Sequence, residues 1–433
     1  MLEFTRRYPL GHLIGLALSW PALALAQSSD DAYTGKTLTG NWGGTRSDWA
    51  AHGVNIRGDY VGEAMGVVDG GYGRTGTRYA QQLRLGLDLD MAKLAGWGGG
   101  TFRFTLNDRR GRSTSADLVG NRFPIQEVYG GQYTRLSEVS YDRSFNGGAS
   151  YYKLGFYSMG NQFGLLNAGT SFVNAAFCAH PLSMSGNSGW YNYPTARWGG
   201  EFAQQVSPAL NLRVGWFQVN PNLAGDNVHN AFRPFVKGTT GSLFPVELTW
   251  TPGKGSAYAG VYKLGAYYDS STTTRKGLNA GNTTGRHGAY LLAEQKLYSE
   301  AEDPTRGFSL FGEYMQSDRA TAQIRSWYAL GGIYQGIGTR SQDRIAFGYL
   351  GGDINRRLVD ARRAALYDAG VLENSSLYAL SSAEELYELS YSVQVTPWLM
   401  LRPDVQYIVN PGTFSYAQTE NAWAVGLQAK ITF

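Results

Sequence analysis

Gly71, Gly73 and Gly76 match the spacing G-x-G-x-x-G, and the chemistry that spacing offers is pyrophosphate binding at a helix N-terminus that follows directly. Here the glycines are followed by "RYAQQLRLGLDLD", whose alternation is that of a strand, so they read as a flexible connection between strands. Of the 5 histidines, His12, His52, His180, His229 and His287, none stands at a metal-ligand spacing. No G-x-S-x-G elbow or other nucleophile motif is present. Carboxylates are plentiful, which leaves a glycosidase pair open, but nothing singles one out. Cys178, in "NAAFCAHP", reads as a small buried residue, and as the 1 cysteine of the chain it excludes an intramolecular disulfide. The expectation is a protein with no enzyme activity, cofactor or metal.

The elements that would position any site begin after an export leader. "MLEFTRRYPLGHLIGLALSWPALALAQ" runs from Arg6 and Arg7 through an apolar stretch to Ala24-Leu25-Ala26, the order of a secretory signal peptide. An anchoring helix is the alternative, but the run is short and broken by His12 and Pro21. Cleavage after Ala26 leaves 433 − 26 = 407 residues. No later stretch reaches about 18 apolar residues, so helical spans are not expected. Charged residues make up only 17% and aromatics 14%, with 57 glycines. That balance suits strands whose two faces meet different media. A net charge of +4 over this length is too weak to imply nucleic acid.

Period-two segments recur through the mature chain. "QQLRLGLDLD" sets Leu83, Leu85, Leu87 and Leu89 against Arg84, Asp88 and Asp90. "TFRFTLND" sets Phe102, Phe104 and Leu106 against Arg103, Thr105 and Asn107. "YELSYSVQV", "PWLMLRPDVQYIV" and the closing "NAWAVGLQAKITF" repeat the pattern, with turn signals in "VTPW" and "VNPG". These are meandering antiparallel strands, which could build a sandwich, a propeller or a barrel. Aromatics near strand ends (Tyr151-Tyr152, Tyr267-Tyr268, Trp398, Trp423) suit a girdle at a lipid interface. Charges of both signs on the polar faces suit a wet lumen, and no blade-length repeat is seen. At about 9–11 residues per spanning strand, the chain supplies roughly sixteen. The expected fold is all-β: a single transmembrane antiparallel β-barrel over residues 27–433, with a short N-terminal lead at 27–50. One segment, "NRRLVDARRAALYDAG" (355–370), has helical spacing and Gly370 as its stop. Its arginines either bind an acidic partner or form the solvated face of a loop helix.

Several segments then resemble one family. "LTGNWGGTRSDWAAHGVNIRGDYVGE", "PIQEVYGGQYTRLS", "AAFCAHP", "WYNYP", "RVGWFQVNP", "FPVELTWTP" and "LRPDVQYIVNPG" are similar, in order, to the carbohydrate-selective porins of Gram-negative outer membranes, the OprB family. The resemblance covers essentially all of residues 38–433. It implies a sixteen-stranded barrel with a narrow constriction through which sugars diffuse passively. It also implies that Phe433 is the C-terminal tag read by the barrel-assembly machinery. The implied partners are small carbohydrates and outer-membrane lipid with lipopolysaccharide, and a homo-oligomer is possible. The constriction arginine of the family maps to Arg109 in "TLNDRRGR", its Gln-Glu pair to Gln126 and Glu127, and its aromatic to Tyr193 in "WYNYP", with Trp190 beside it. Asp108, Arg110 and Arg112 neighbour the site, although alternation turns some of them outward. A family member carries Trp in place of Tyr193, and Tyr keeps the stacking face while adding a hydroxyl. Some relatives pair the cysteine corresponding to Cys178 with one at the position of Thr170. Without that staple, an inward-folded loop around 165–190 is expected to be more mobile.

The expected function is passive, selective diffusion of mono- or oligosaccharides across the outer membrane. Two rivals stand beside it: a general or anion-leaning porin, and a barrel-framed enzyme or polysaccharide-export partner.

Overall fold

Alternation dictates the architecture. Each strand offers an apolar row and a polar row, and closing the sheet on itself turns one row outward everywhere. In the computed structural model, which describes residues 32–433 apart from 179, 225–229, 255, 279 and 302, sixteen strands form one closed antiparallel barrel. The leader and His229 lie outside the described residues. The first eight strands are β1 (Val54–Gly71), β2 (Gly76–Asp90), β3 (Gly100–Gly111), β4 (Tyr133–Phe145), β5 (Ser150–Tyr157), β6 (Arg197–Ser207), β7 (Leu210–Val219) and β8 (Gly241–Trp250). The second eight are β9 (Gly260–Thr274), β10 (Asn282–Ser299), β11 (Gly307–Ser317), β12 (Ile324–Ile337), β13 (Arg340–Ile354), β14 (Ala383–Thr396), β15 (Leu399–Val409) and β16 (Glu420–Thr432). Each strand pairs with its sequence neighbours, and β16 closes on β1 through pairs such as Tyr60 with Ile431 and Ala64 with Leu427.

The outer row is apolar and open: Leu85, Leu264, Leu291, Leu330, Leu389 and Leu427 are all exposed. In water such a surface would be a large aggregation-prone patch; in lipid it is the solvated state. Near one end of the barrel a belt of rings runs across neighbouring strands. Tyr349 and Tyr387 lie 4.9 Å apart, Tyr387 and Tyr407 6.4 Å, and Tyr407 and Trp423 4.6 Å between centroids. Of the paired tyrosines expected in this girdle, only one per pair faces lipid, because neighbours alternate. Tyr268 points out while Tyr267 is buried inside.

Long connections gather at the end next to this belt, including 112–132, 158–196, 220–240 and 355–382. Short turns such as 208–209, 338–339 and 397–398 occupy the other. In outer-membrane barrels the long loops are extracellular and the short turns periplasmic. Among the described residues four α-helices decorate the frame: α1 (Thr45–Ala51), α2 (Met91–Ala95), α3 (Leu182–Asn187) and α4 (Arg356–Asp368). The helix expected within 355–370 is α4, capped by the Asn355 side chain and followed by Gly370 at a φ of 69°. In the N-terminal lead, Arg46 of α1 reaches the seam between β1 and β16, donating to the carbonyl oxygens of Ile56 (3.0 Å) and Phe433 (2.8 Å).

Two long connections fold inward. Segment 158–196 packs Phe163, Phe172, Phe177, Met184 and Trp190 against Phe217, Leu243, Tyr290, Phe311, Met315 and Trp327 of the wall, forming one continuous apolar core. The lumen is therefore divided: the apolar core lies beneath β7–β14 and reaches β1, β15 and β16 at the long-loop end through Met65, Ile408 and Ala424, while the open polar chambers run along β1–β6, β15 and β16.

Candidate functional site

The inward segments need an attachment, and the wall supplies carboxylates. Glu388 accepts hydrogen bonds from the backbone N–H groups of Val173 (2.5 Å) and Asn174 (3.1 Å). Glu384 accepts from those of Arg122 (2.6 Å) and Phe123 (3.0 Å). Gly164 donates to Glu247 (2.7 Å), Ala168 to Glu294 (3.0 Å), Gly189 to Asp269 (2.6 Å) and Val128 to Glu63 (3.1 Å). These bonds satisfy buried loop N–H groups that have no sheet partner.

These attachments leave a polar chamber of about 580 Å³ and a second of about 400 Å³. The two share three lining residues: Arg84, Asn161 and Tyr193. Arg84 descends from the wet face of β2 and pairs with Asp59 of β1 at 2.5 Å. Tyr193, carried in by segment 158–196, is anchored by the Asn107 side-chain amide, which donates to its hydroxyl (3.0 Å). The guanidinium carbons of Arg84 and Arg109 both lie 6.0 Å from its ring centroid. Burial raises the Tyr193 pKa, against the pull of Arg84, so the phenol stays neutral and can both donate and accept.

Arg109, on β3, is only 9% exposed and faces the larger chamber. Its Nε donates to Gln82 Oε1 (2.9 Å), its directly paired neighbour on β2. Glu127 lines the same chamber beside Gln428, whose amide donates to Glu63 (2.7 Å) and lies 3.5 Å from Glu127. The structure thus brings together Arg109, Glu127 and Tyr193. Asp108 and Arg110 turn to the outside and pair with each other at 2.8 Å, while Arg112 pairs with Asp117 at 2.7 Å.

Two expected lining residues are placed elsewhere. Gln126 is buried in the wall contact: its amide donates to the carbonyls of Glu63 (3.1 Å) and Arg78 (3.3 Å), and its oxygen accepts from Thr114 N–H (2.8 Å). The chain turns at Glu127, so Gln126 faces the barrel wall where Glu127 faces the chamber. Trp190 is fully buried between His180 and Tyr267, at centroid distances of 5.4 and 5.7 Å. Its large apolar surface is drawn into the dry side.

Reasoning from sequence missed Asp59, Gln82, Arg84, Asn161 and Gln428 as lining residues. Gln82 carried a signal, since it shares a face with Arg84. Asn161 lies in an irregular loop and carried none.

The second chamber carries charges of both signs. Arg57 clasps Asp88 with two bonds of 2.7 Å, Arg103 bridges Asp88 (3.1 Å) and Asp142 (2.5 Å), and Lys153 reaches Glu138 (2.6 Å). Cys178 lines the first chamber with Sγ 3.0 Å from the Phe172 carbonyl; burial and then nearby carboxylates hold its pKa well above normal, so the thiol stays protonated. The loop that carries it has no disulfide to Thr170. Instead Arg402 donates to the carbonyls of Phe172 (2.9 Å) and Thr170 (2.7 Å), tying the segment to β15.

Among known proteins, the family described as "Carbohydrate-selective porin, OprB family" matches residues 74–433. Porin B of Pseudomonas aeruginosa is 31% identical over 461 residues, covering 100% of both chains. A putative porin, QuiX, of Acinetobacter baylyi is 30% identical over 414 residues, covering 92% of this chain and 93% of its own. The high-pH structure of OprB from Pseudomonas putida superposes with a TM-score of 0.86 at 30% identity, over 93% of this chain and 99% of that one.

Proposed function

Since this chain belongs to the OprB family of carbohydrate-selective porins, a family of outer-membrane sugar channels, we propose that its selectivity is exercised where the two polar chambers meet, by Arg109, Glu127 and Tyr193 with Arg84. A sugar has weakly apolar ring faces edged with hydroxyls. The Tyr193 ring offers a stacking face, while Arg109 and Arg84 donate to the hydroxyl edge and Glu127 accepts from it. Each contact replaces lost hydration, and none encloses the guest, so release remains fast. Movement follows the concentration gradient.

The observation that carries this reading is the position of Tyr193: it lines both chambers, with two guanidinium groups 6.0 Å from its centroid. Liposome swelling with sugars of graded size, beside current block in planar bilayers, is the test. Sugar-dependent block that weakens in Arg109→Ala supports the reading, and unchanged relative rates among sugars sink it.

A second reading has its own observation. The larger chamber is lined by Arg84, Arg109, Arg402 and Lys430 against Asp59 and Glu127, an excess of cations that favours an anion-leaning channel. Reversal potential in a salt gradient separates the two. Further partners belong to the same proposal: lipid and lipopolysaccharide against the apolar wall, the barrel-assembly machinery at Phe433, and self-association, which native cross-linking in detergent tests.

A further inference from the structure

The two polar chambers stand in series along the pore. On β3, Arg109 lines the larger and Arg103 the smaller, six residues nearer the short-turn end. At about 3.3 Å per residue, reduced by a strand tilt of about 35–45°, their levels differ by roughly 15 Å. Tyr193 lines both chambers and marks the join. A second aromatic, Tyr151, lines the smaller one alone. It is the second residue of β5, half-buried, on the same inward face as Lys153. The Tyr193 hydroxyl is engaged by Asn107 (3.0 Å), whereas among the described residues the Tyr151 hydroxyl has no hydrogen-bond partner.

The wall between these rings is charged, yet its charges balance. Sign alternates from strand to strand: Arg57 on β1, Asp88 on β2, Arg103 on β3, Asp142 and Glu138 on β4, Lys153 on β5. Across each of these strand boundaries a pair of opposite sign stands within 3.1 Å. The larger chamber, by contrast, sets Arg84, Arg109, Arg402 and Lys430 against Asp59 and Glu127 alone. Opposite charges on strands about 4.8 Å apart largely cancel a short way from the wall. Such a wall draws no anion by net field, but it presents donors and acceptors side by side to adjacent hydroxyls.

We propose that the smaller chamber is a second sugar subsite, in which Tyr151 supplies the stacking face and the Arg103–Asp142 and Lys153–Glu138 pairs meet the hydroxyl edge of an uncharged pyranose. The chamber offers about 400 Å³ for it. The inference rests on the reading of Tyr193 as a sugar platform and specifies the substrate class the pore favours: neutral saccharides of two or more units, which can lie on both rings at once. A single unit occupies one chamber at a time. A linked chain gains the second contact as an intramolecular event.

Current block by glucose and by maltotriose, measured on the full protein in planar bilayers, is the test. Tyr151→Ala is expected to weaken maltotriose block about tenfold and glucose block less than about threefold, as one of two stacking faces is lost. Tyr151→Phe, which keeps the face, should stay within about twofold of wild type for both sugars. Heat-modifiable mobility on gels verifies folding. Should Tyr151→Ala fail that check, Tyr151→Leu removes the ring with less lost volume and is expected to show the same selective loss. Asp142→Asn takes one carboxylate from Arg103, so block by gluconate should strengthen as block by maltotriose weakens. Maltotriose block retained within about twofold in the variant without the ring overturns the inference. So does an equal loss for glucose, which would make Tyr151 a general wall residue. An Arg109→Ala channel that blocks normally would sink the reading of the larger chamber by itself; a selective loss in Tyr151→Ala beside it would still uphold the second subsite.

Discussion

The two sides of the lumen are built from strands of the same alternating design, yet one is wet and the other dry. Along β1–β6 the inward residues include Arg57, Asp59, Arg84, Arg103, Arg109 and Lys153, and these border open chambers. Along β7–β13 the inward residues include Phe217, Leu243, Tyr290, Phe311 and Trp327, and they are covered by segment 158–196. The difference teaches that strand alternation assigns residues to the inside without deciding what the inside is. The loop decides, and the wall carboxylates hold the loop.

Glu388→Ala should break the comparison most completely. It strips the acceptor from the N–H groups of Val173 and Asn174, and a buried donor left unsatisfied costs about 1–3 kcal/mol. Segment 158–196 is expected to lift, at least doubling single-channel conductance and abolishing sugar block while the barrel stays heat-modifiable. Unchanged conductance would show that the apolar packing and the remaining ties, Glu247, Glu294, Asp269 and Arg402, hold the segment without Glu388. Arg109→Ala acts on the wet side only: about tenfold weaker sugar block, a modest rise in conductance and flatter discrimination among sugars in liposome swelling. Tyr193→Phe keeps the ring and removes the hydroxyl bonded to Asn107, so block should weaken only about twofold to threefold. A Tyr193→Phe effect as large as that of Arg109→Ala would make the hydroxyl, not the face, the main contact.

The smallest effect sharpens the comparison through pH. Burial on the dry side lowers the His180 pKa from 6.5 to about 3. A released loop takes up a proton below 6.5 that the docked loop refuses until about 3, so acid favours release. Hydrogen exchange in 160–190 should quicken as pH falls from about 6.5 towards 3, and His180→Gln should reduce that dependence. An identical pH profile in the variant would assign the acid sensitivity to other groups.

The barrel was legible because alternation is a local signal. "QQLRLGLDLD" and "YELSYSVQV" state their period within a few residues, and their apolar rows lie outward in the structure, as at Leu85, Tyr387, Leu389 and Val395. The strand number followed from length alone. The facing of strand residues was legible for the same reason: Arg84 and Arg109 lie on the polar rows that counting by two assigns, although only the resemblance pointed to Arg109 and nothing pointed to Arg84. Residues on the inward segments were not, because irregular backbone has no period. The Gln126–Glu127 pair shows the limit, since two adjacent polar residues give no hint of which faces water. Trp190 shows another. Its apolar bulk was as compatible with sugar stacking as with a core, and only the covering loop decided between them. The resemblance supplied Tyr193, which its sequence surroundings would not have singled out.

One feature of the attachment reaches beyond this chain. The wall carboxylates grip N–H groups, which every residue except proline presents alike, so the grip is blind to what the loop displays towards the passage. Side chains such as Tyr193 could therefore be exchanged over many generations without unseating the segment that carries them. A channel mounted in this way can alter its diet by point substitution while its skeleton stays still.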